Sequence, residues 1–536
     1  MRLFLAPIYY IDPTIWQPAR LPGASLPQER LDITAFFPIM SFTVIPPERP
    51  KRDFSLLPAP ETLQVGFETY LSPFTYRYGS DEMKRIWSQK NMWLKARDVW
   101  IATAEVQHEA GLVTAEEVAD LKRHREELSV ERVFQWERDP DVGTGHDIQA
   151  AIKEYSEVAQ LGGRILHYGL TSEDVLSNVE MSLIHESFGL IRPKLVGTLD
   201  AFSGQIEKHK GLICMGYTHL QAAEPTTMGY RFAKYAQELL LTLQYLDVMQ
   251  PFLKGKGIRG PVGTSASSSD ILKDTGMSAR EHEQKIMEKL HLDSVLVSDQ
   301  TYPRTLLFYT ESVLAAIGQA LHHYALNLQV LQSTFVGEVS EPRRKGQTGS
   351  SAMPHKQNPI HSENIDALTE TLPGSLFSAW MGGAFVTLER TLRDSAGKRS
   401  WLPESFLIAD EALMRAERVT RGLKVHENAV ETNLKKFAPF SASEIVLQKL
   451  IEAGMDRVDA HELLVAYSEK ALEHTREGRP NFLRDLILGD EKITTYLDDG
   501  AIREAFYNVY KHTGDAEERC ERFLAEQLYP AIQAAP

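Results

Sequence analysis

Between Pro303 and Pro342 the chain carries no proline, and in that run Leu314, Ile317, Leu321, Tyr324, Leu328 and Leu331 recur at spacings of three and four. Phe232, Tyr235, Leu239, Leu243, Leu246 and Met249 repeat the pattern. A helix turns once in 3.6 residues, so each set forms one stripe that must be buried against neighbouring helices. Runs of about 30 residues exceed the ordinary globular helix and predict a bundle of long helices. The stripes are therefore core, not binding surface. Alternating patches are few, and no strand–helix–strand rhythm appears, so a parallel nucleotide-binding sheet is not expected.

Prolines crowd the first 70 residues instead, with Pro7, Pro13, Pro18, Pro22, Pro27 and Pro38 followed by Pro46, Pro47, Pro50, Pro58 and Pro60. That density forbids long helices and predicts an irregular arm packed on, or trailing from, the body. From about residue 80 the texture is helical. Beyond about 410 it is helical and charge-mixed, broken at Gly454, Gly478-Arg-Pro480 and Gly489. The expected organisation is all-α: a Pro-rich arm at 1–70, a helical domain at 71–175, a central long-helix bundle at 176–410, and a C-terminal helical domain at 411–536. A length of 536 residues accommodates this division.

Charge and cysteine usage exclude several function classes. A net charge of −15 argues against a nucleic-acid surface, which needs clustered Lys and Arg, but leaves small anionic ligands possible in a cleft. Only Cys214 and Cys520 occur, which supplies neither a disulfide framework nor a cysteine metal site and fits a reducing compartment. No 18-residue apolar run predicts a membrane span. The apolar start Met1–Ile11 is interrupted by Pro7 and followed by Asp12-Pro13 rather than a cleavage site, so it is not read as a signal peptide. The expected location is the cytoplasm.

Chemistry concentrates in one segment, Gly349-Ser-Ser-Ala-Met-Pro-His-Lys-Gln-Asn-Pro-Ile-His-Ser-Glu363. Gly346, Gly349, Pro354 and Pro359 punctuate it, so residues 346–359 are expected to form a loop carrying hydroxyl, ammonium and amide groups. Four more turn-flanked groups carry polar side chains: Ser72–Ser80, Gly145-His-Asp147, His167–Asp174 and Gly216–Thr227. Taken singly, each histidine in them reads as a satisfied or exposed side chain. None has metal-site spacing, so no metal is expected.

The Gly-Ser-Ser-x-Met-Pro-x-Lys-x-Asn-Pro segment resembles the signature of the fumarase/aspartase superfamily of lyases, and its details resemble the adenylosuccinate lyase family. Seven further motifs agree in the family's order. Arg77-Tyr78 with Ser80-x-Glu82-Met83, His146-Asp147, Thr171-Ser172-x-Asp174 and Thr218-His219-x-Gln221 come first. Lys256–Thr264 with Gln300–Arg304, and then Glu389–Arg399, complete the match, which runs from about 71 to at least 410. Tyr217, Ala222 and Leu307 depart from residues common in the family, and the arm at 1–70 has no counterpart in its short bacterial members.

This resemblance implies a fold of the fumarase/aspartase type and β-elimination of fumarate from adenylosuccinate and from the succinyl-carboxamide imidazole ribotide SAICAR. It implies Ser350 as base, a choice over Ser351 that the residues themselves do not make. His219 is implied as general acid, with Glu363 orienting an imidazole and His146 supporting the acid. Lys356 and Asn358 would hold the carboxylate that takes up charge, and Thr171 and Ser172 the succinyl carboxylates. Arg77, Tyr78, Asp147, Thr218, Gln221, Arg304, Ser351, Met353, Arg390, Ser395 and Arg399 complete the implied substrate contacts, with Arg77, Arg390, Ser395 and Arg399 on the phosphate. Glu363 could instead cap or pair locally. No cofactor is implied, and the partner set is a small anionic nucleotide and a homotetramer with shared sites. The alternatives are a sister lyase on another succinyl or argininosuccinyl substrate, or a non-catalytic structural homologue.

Overall fold

The structure, a computed structural model, describes residues 66–534, so nearly all of the expected arm lies outside the described residues. Long helices dominate. The longest, Ser172–His209, spans 38 residues, about 57 Å at the α-helical rise. It opens where the Asp174 carboxylate accepts the Thr171 N–H at 2.8 Å, which satisfies a donor that the helix cannot. Met228–Met249 opens on the Thr227 hydroxyl, which accepts from the Tyr230 N–H at 3.1 Å. On that helix Phe232, Tyr235, Leu239, Leu243 and Leu246 are buried, as are all six residues of the Leu314–Leu331 stripe on Thr305–Gln332. The latter helix stops at Gln332, short of the proline that ends the run. Gly337 takes a φ of +65° there and donates to the Ser333 carbonyl at 2.8 Å, turning the chain.

Ser172–His209 packs against Met228–Met249 and Ser395–Gly422, and Thr305–Gln332 packs against both of those helices. The shorter helices Ile360–Thr369 and Leu372–Ala384 lean on Thr305–Gln332. One continuous apolar core fills this bundle, from Met181 and Phe188 through Leu243 and Leu321 to Phe406 and Leu413. Removing one such side chain costs about 2–5 kcal/mol, because the lost burial is joined by the cavity left behind. One carboxylate breaks the apolar rule: Glu311 is fully buried within Thr305–Gln332. Burial pushes it up to about 8 despite the Ser405 hydroxyl nearby, whose proton is donated to the Trp401 carbonyl at 2.8 Å.

Two further cores flank the bundle. Trp93, Trp100, Trp136 and Tyr155 anchor the one before it. The other, from Leu434 to Val509, also takes in Met215 from a β-hairpin. The boundaries expected at 175/176 and 410/411 fall inside the helices Ser172–His209 and Ser395–Gly422. Strands among the described residues form two antiparallel pairs, Ile213–Thr218 with Gln221–Thr227 and Val339–Ser340 with Lys424–Val425. No helix among the described residues is long and apolar enough to cross a membrane.

Candidate active site

The loop leading to Ile360–Thr369 is held at its base by a residue that sequence reasoning missed. The buried Glu341 carboxylate accepts from the His361 N–H at 3.1 Å, and from the Ser362 N–H at 2.6 Å and hydroxyl at 2.5 Å. It thereby caps the helix from across the loop, placing a negative charge at the positive helix end. Inside the loop Asn358 Nδ2 donates to the Gly349 carbonyl at 3.2 Å, and Lys356 N–H to the Met353 carbonyl at 3.1 Å. Gly349 presses so closely on the Lys356 carbonyl that no side chain fits. In this turn Ser350 Oγ accepts from two backbone N–H groups, Met353 at 3.1 Å and Ala352 at 3.3 Å. Two amides aimed at one hydroxyl oxygen favour negative charge there. Ser351, Met353 and Lys356 are exposed. Glu363 is exposed too, and its carboxylate neither caps nor pairs among the described residues.

His219 sits at the tip of the first hairpin. Tyr217 pairs with Ala222 and Thr218 with Gln221, which leaves His219 and Leu220 as a two-residue turn with φ of 53° and 60°. Two successive positive φ values match the twist of a hairpin, but the steric cost favours Asn and Gly there. Thr218, His219 and Gln221 are exposed. Behind the tip, Glu338 is buried and accepts from Arg231 at 2.9 Å, Asn433 at 3.0 Å and the Tyr217 hydroxyl at 3.5 Å. Glu338 was also missed by sequence reasoning. The acidic pair three residues apart, just past a long apolar run, was the available signal.

A third group gathers where Ser172–His209 begins. His146 Nε2 lies 3.4 Å from Ser172 Oγ, and its Nδ1 lies 3.3 Å from Asp147. Asp147 accepts from Arg399 at 2.7 Å. Thr171 and Ser172 occupy the positive end of the longest helix, a ready place for a carboxylate. Next to them Arg390 donates to Glu173 at 2.8 Å and Asp394 at 3.0 Å. Ser395 opens the helix that carries Lys398 and Arg399. Asp174 is fully buried and ion-paired to the equally buried Lys256, so that motif positions the backbone. Arg77 is exposed, while Gly79 and Ser80 donate to Glu411 at 2.9 Å and Asp410 at 2.7 Å. Tyr78 packs its ring 5.9 Å from Phe74.

Arg304, expected to touch substrate, is buried and engaged with Asp394 at 2.8 Å and Glu180 at 3.5 Å, its guanidinium lying over Tyr302. Burial would raise the Glu180 carboxyl, yet Lys398 and Arg304 beside it hold it below its ordinary value. Asp394 is lowered in the same way, against burial, by Arg304, Lys398 and Arg390.

Comparison with known proteins gives these motifs a common origin. Residues 70–374 match the family described as Lyase, and residues 439–523 match the one described as Adenylosuccinate lyase C-terminus. The adenylosuccinate lyase of Schistosoma mansoni is 32% identical over 87% of this chain and 97% of its own length. That of Saccharomyces cerevisiae is 30% identical over 87% and 96%. The chain belongs to the adenylosuccinate lyase family. Among solved structures, 3-carboxy-cis,cis-muconate lactonizing enzyme from Pseudomonas putida shares the fold, with a TM-score of 0.74 at 23% identity over 86% of this chain and 98% of that one.

Within this adenylosuccinate lyase family member, the Ser350 loop, the His219 turn and the His146 group are each held by partners of their own. Among the described residues no hydrogen bond or ion pair joins any two of them. The departures from the family pattern also find a physical place. Tyr217 and Ala222 pack against the C-terminal core beneath the turn, and Leu307 is buried in the bundle. Each therefore meets protein interior.

Proposed function

We propose that this fumarate-eliminating lyase acts on adenylosuccinate, giving AMP, and on SAICAR, giving AICAR. The observation that carries the base assignment is the pair of backbone N–H groups on Ser350 Oγ. A serine is a poor base unless its alkoxide is stabilised, and these donors favour Ser350 over Ser351 for that role. Ser350 takes the proton next to the succinyl carboxylate, and the electron pair moves into an aci-carboxylate held by Lys356 and Asn358. The C–N bond then breaks as His219 protonates the leaving nitrogen. Glu363, exposed and without an ion pair among the described residues, orients an imidazole, and His146 supports the acid. Thr171 and Ser172 hold the succinyl carboxylates at the helix terminus, with Thr218, Gln221, Ser351 and Met353 shaping the pocket. Arg77, Tyr78, Arg399 and Ser395 receive the phosphate side, Arg399 exchanging Asp147 for phosphate. Arg390 and Arg304 position that wall.

That no bond among the described residues joins the three groups accords with active sites shared between subunits of a homotetramer. So do the apolar side chains left exposed on the bundle, Leu241, Val248, Leu326, Val330, Phe377 and Trp380. Two buried free cysteines accord with the cytoplasm as its location. The decisive experiment follows adenylosuccinate conversion by ultraviolet absorbance in Ser350→Ala and Ser351→Ala. Loss of the base lowers kcat by about 10²–10⁴-fold in the first, with little change in the second. Equal loss in both variants, or survival of Ser350→Ala, overturns the assignment.

A second reading, a sister lyase on a phosphate-free substrate, draws on Arg390 being already neutralised by Glu173 and Asp394. Arg399→Gln separates the two, since only a nucleotide substrate loses binding when that guanidinium is removed.

A further inference from the structure

Beside the stem of the Ser350 loop lies a cavity of about 570 Å³, bounded by residues 344–347, the start of Ile360–Thr369 and the later turns of Ser395–Gly422. Its charged lining is Arg344, Lys345, His361, Glu411, Arg415 and Arg418. Four permanent cations thus face one carboxylate, in a chain whose net charge is −15. Glu411 is already committed, accepting from Arg415 at 2.6 Å and from the Gly79 N–H at 2.9 Å. His361 adds no charge of its own: burial lowers its proton affinity, Glu341 opposing and the nearby arginines reinforcing, and its Nδ1 faces Arg415 at 3.1 Å.

The side chains of Arg344, Lys345 and Arg418 have no hydrogen bond or ion pair among the described residues. Their crowding is felt. Arg418 holds its proton less tightly than usual, through burial first and then through Arg344 and Arg415 beside it. Like charges brought together without counter-charges repel, and a concave wall of them concentrates anions. The volume lies within the range of small-molecule sites.

We propose that this cavity binds an anion carrying several phosphate or carboxylate groups, bridging Arg344 and Lys345 of the loop stem to Arg415 and Arg418 of the helix. None of its four cations is among those assigned to the substrate phosphate, although the Gly79 N–H on Glu411 brings the Arg77-Tyr78 segment to its edge. Arg399 and Arg415 lie on the same helix, sixteen positions and about 24 Å apart. The inference stands whether or not the substrate reading holds. Gly346, with a φ of +80°, is the joint of the stem, so a bridging anion restrains the loop where it leaves the body.

The test titrates the full-length protein with tripolyphosphate, and separately with citrate, by calorimetry at fixed ionic strength. Saturable binding is expected, weakened at least tenfold in Arg344→Gln and in Arg418→Gln and unchanged in Arg399→Gln. The tighter of the two probes identifies the class of anion. Arg344 and Arg418 are exposed, and removing one repelling charge keeps or raises Tm, so both variants stay folded and retain fumarate release without the probe. Amide exchange across 343–349 slows when tripolyphosphate binds the wild type. Three results overturn the proposal: no heat beyond that of sodium chloride, binding untouched by both variants, or binding lost only in Arg399→Gln.

Discussion

His219 and Leu220 hold left-handed backbone angles that most side chains avoid, at a cost of about 1–2 kcal/mol each. The hairpin keeps them because Tyr217 and Ala222, directly behind, are packed into the C-terminal core and the Tyr217 hydroxyl reaches Glu338. Strain at an exposed tip of this kind is consistent with a side chain retained for chemistry over stability. His219→Asn tests the balance, since asparagine tolerates this conformation but cannot serve as the acid. Thermal unfolding of the variant should be unchanged or up to about 1 kcal/mol more favourable to the fold. Its kcat should fall by about 10²–10⁴-fold. A turn of this type was not legible in advance, because Thr218-His-Leu-Gln221 contains neither the glycine nor the asparagine that usually announces it.

At the scale of elements, Thr305–Gln332 carries both the most legible and the least legible features. Its stripe from Leu314 to Leu331 is readable because burial against neighbours enforces the 3-4 spacing. Its end is not, since the chain turns at Gly337 and not at a proline. Buried ion pairs were equally hidden. Arg304 reads as a ligand group until the fold brings Asp394 to it, and the pairing of Lys256 with Asp174 likewise joins positions far apart along the chain. The buried Glu311, which has no ion-pair partner among the described residues, was hidden too, and it has a pH signature. Its folded value of about 8 lies above the ordinary 4.5. Between those values the unfolded chain releases a proton that the folded chain keeps, so this residue makes stability fall as pH rises through that window. Glu311→Gln removes the term, so unfolding measured from pH 5 to 8 should show a flatter profile. The variant should gain a few kcal/mol relative to wild type at pH 8, and little at pH 5.

For the whole molecule, the proposed sharing of sites between subunits sets how copies cooperate. If a site takes its serine from one subunit and its histidine from another, two inactive variants can repair each other. Mixing dissociated Ser350→Ala and His219→Asn subunits should restore about a quarter of wild-type turnover, read after reassembly. Mixtures that stay inactive would place both groups within one subunit. The Glu341 clasp has a consequence of another kind. By fastening His361 and Ser362 to the strand end, it closes the 342–359 segment into a circuit whose two terminals meet on rigid ground. The start of the helix Ile360–Thr369 therefore keeps its anchor whatever conformation the segment between those terminals takes. Changes of length at positions of this segment outside the Ser350–Asn358 stretch are thus absorbed within the circuit, and the bundle remains a fixed mount for it.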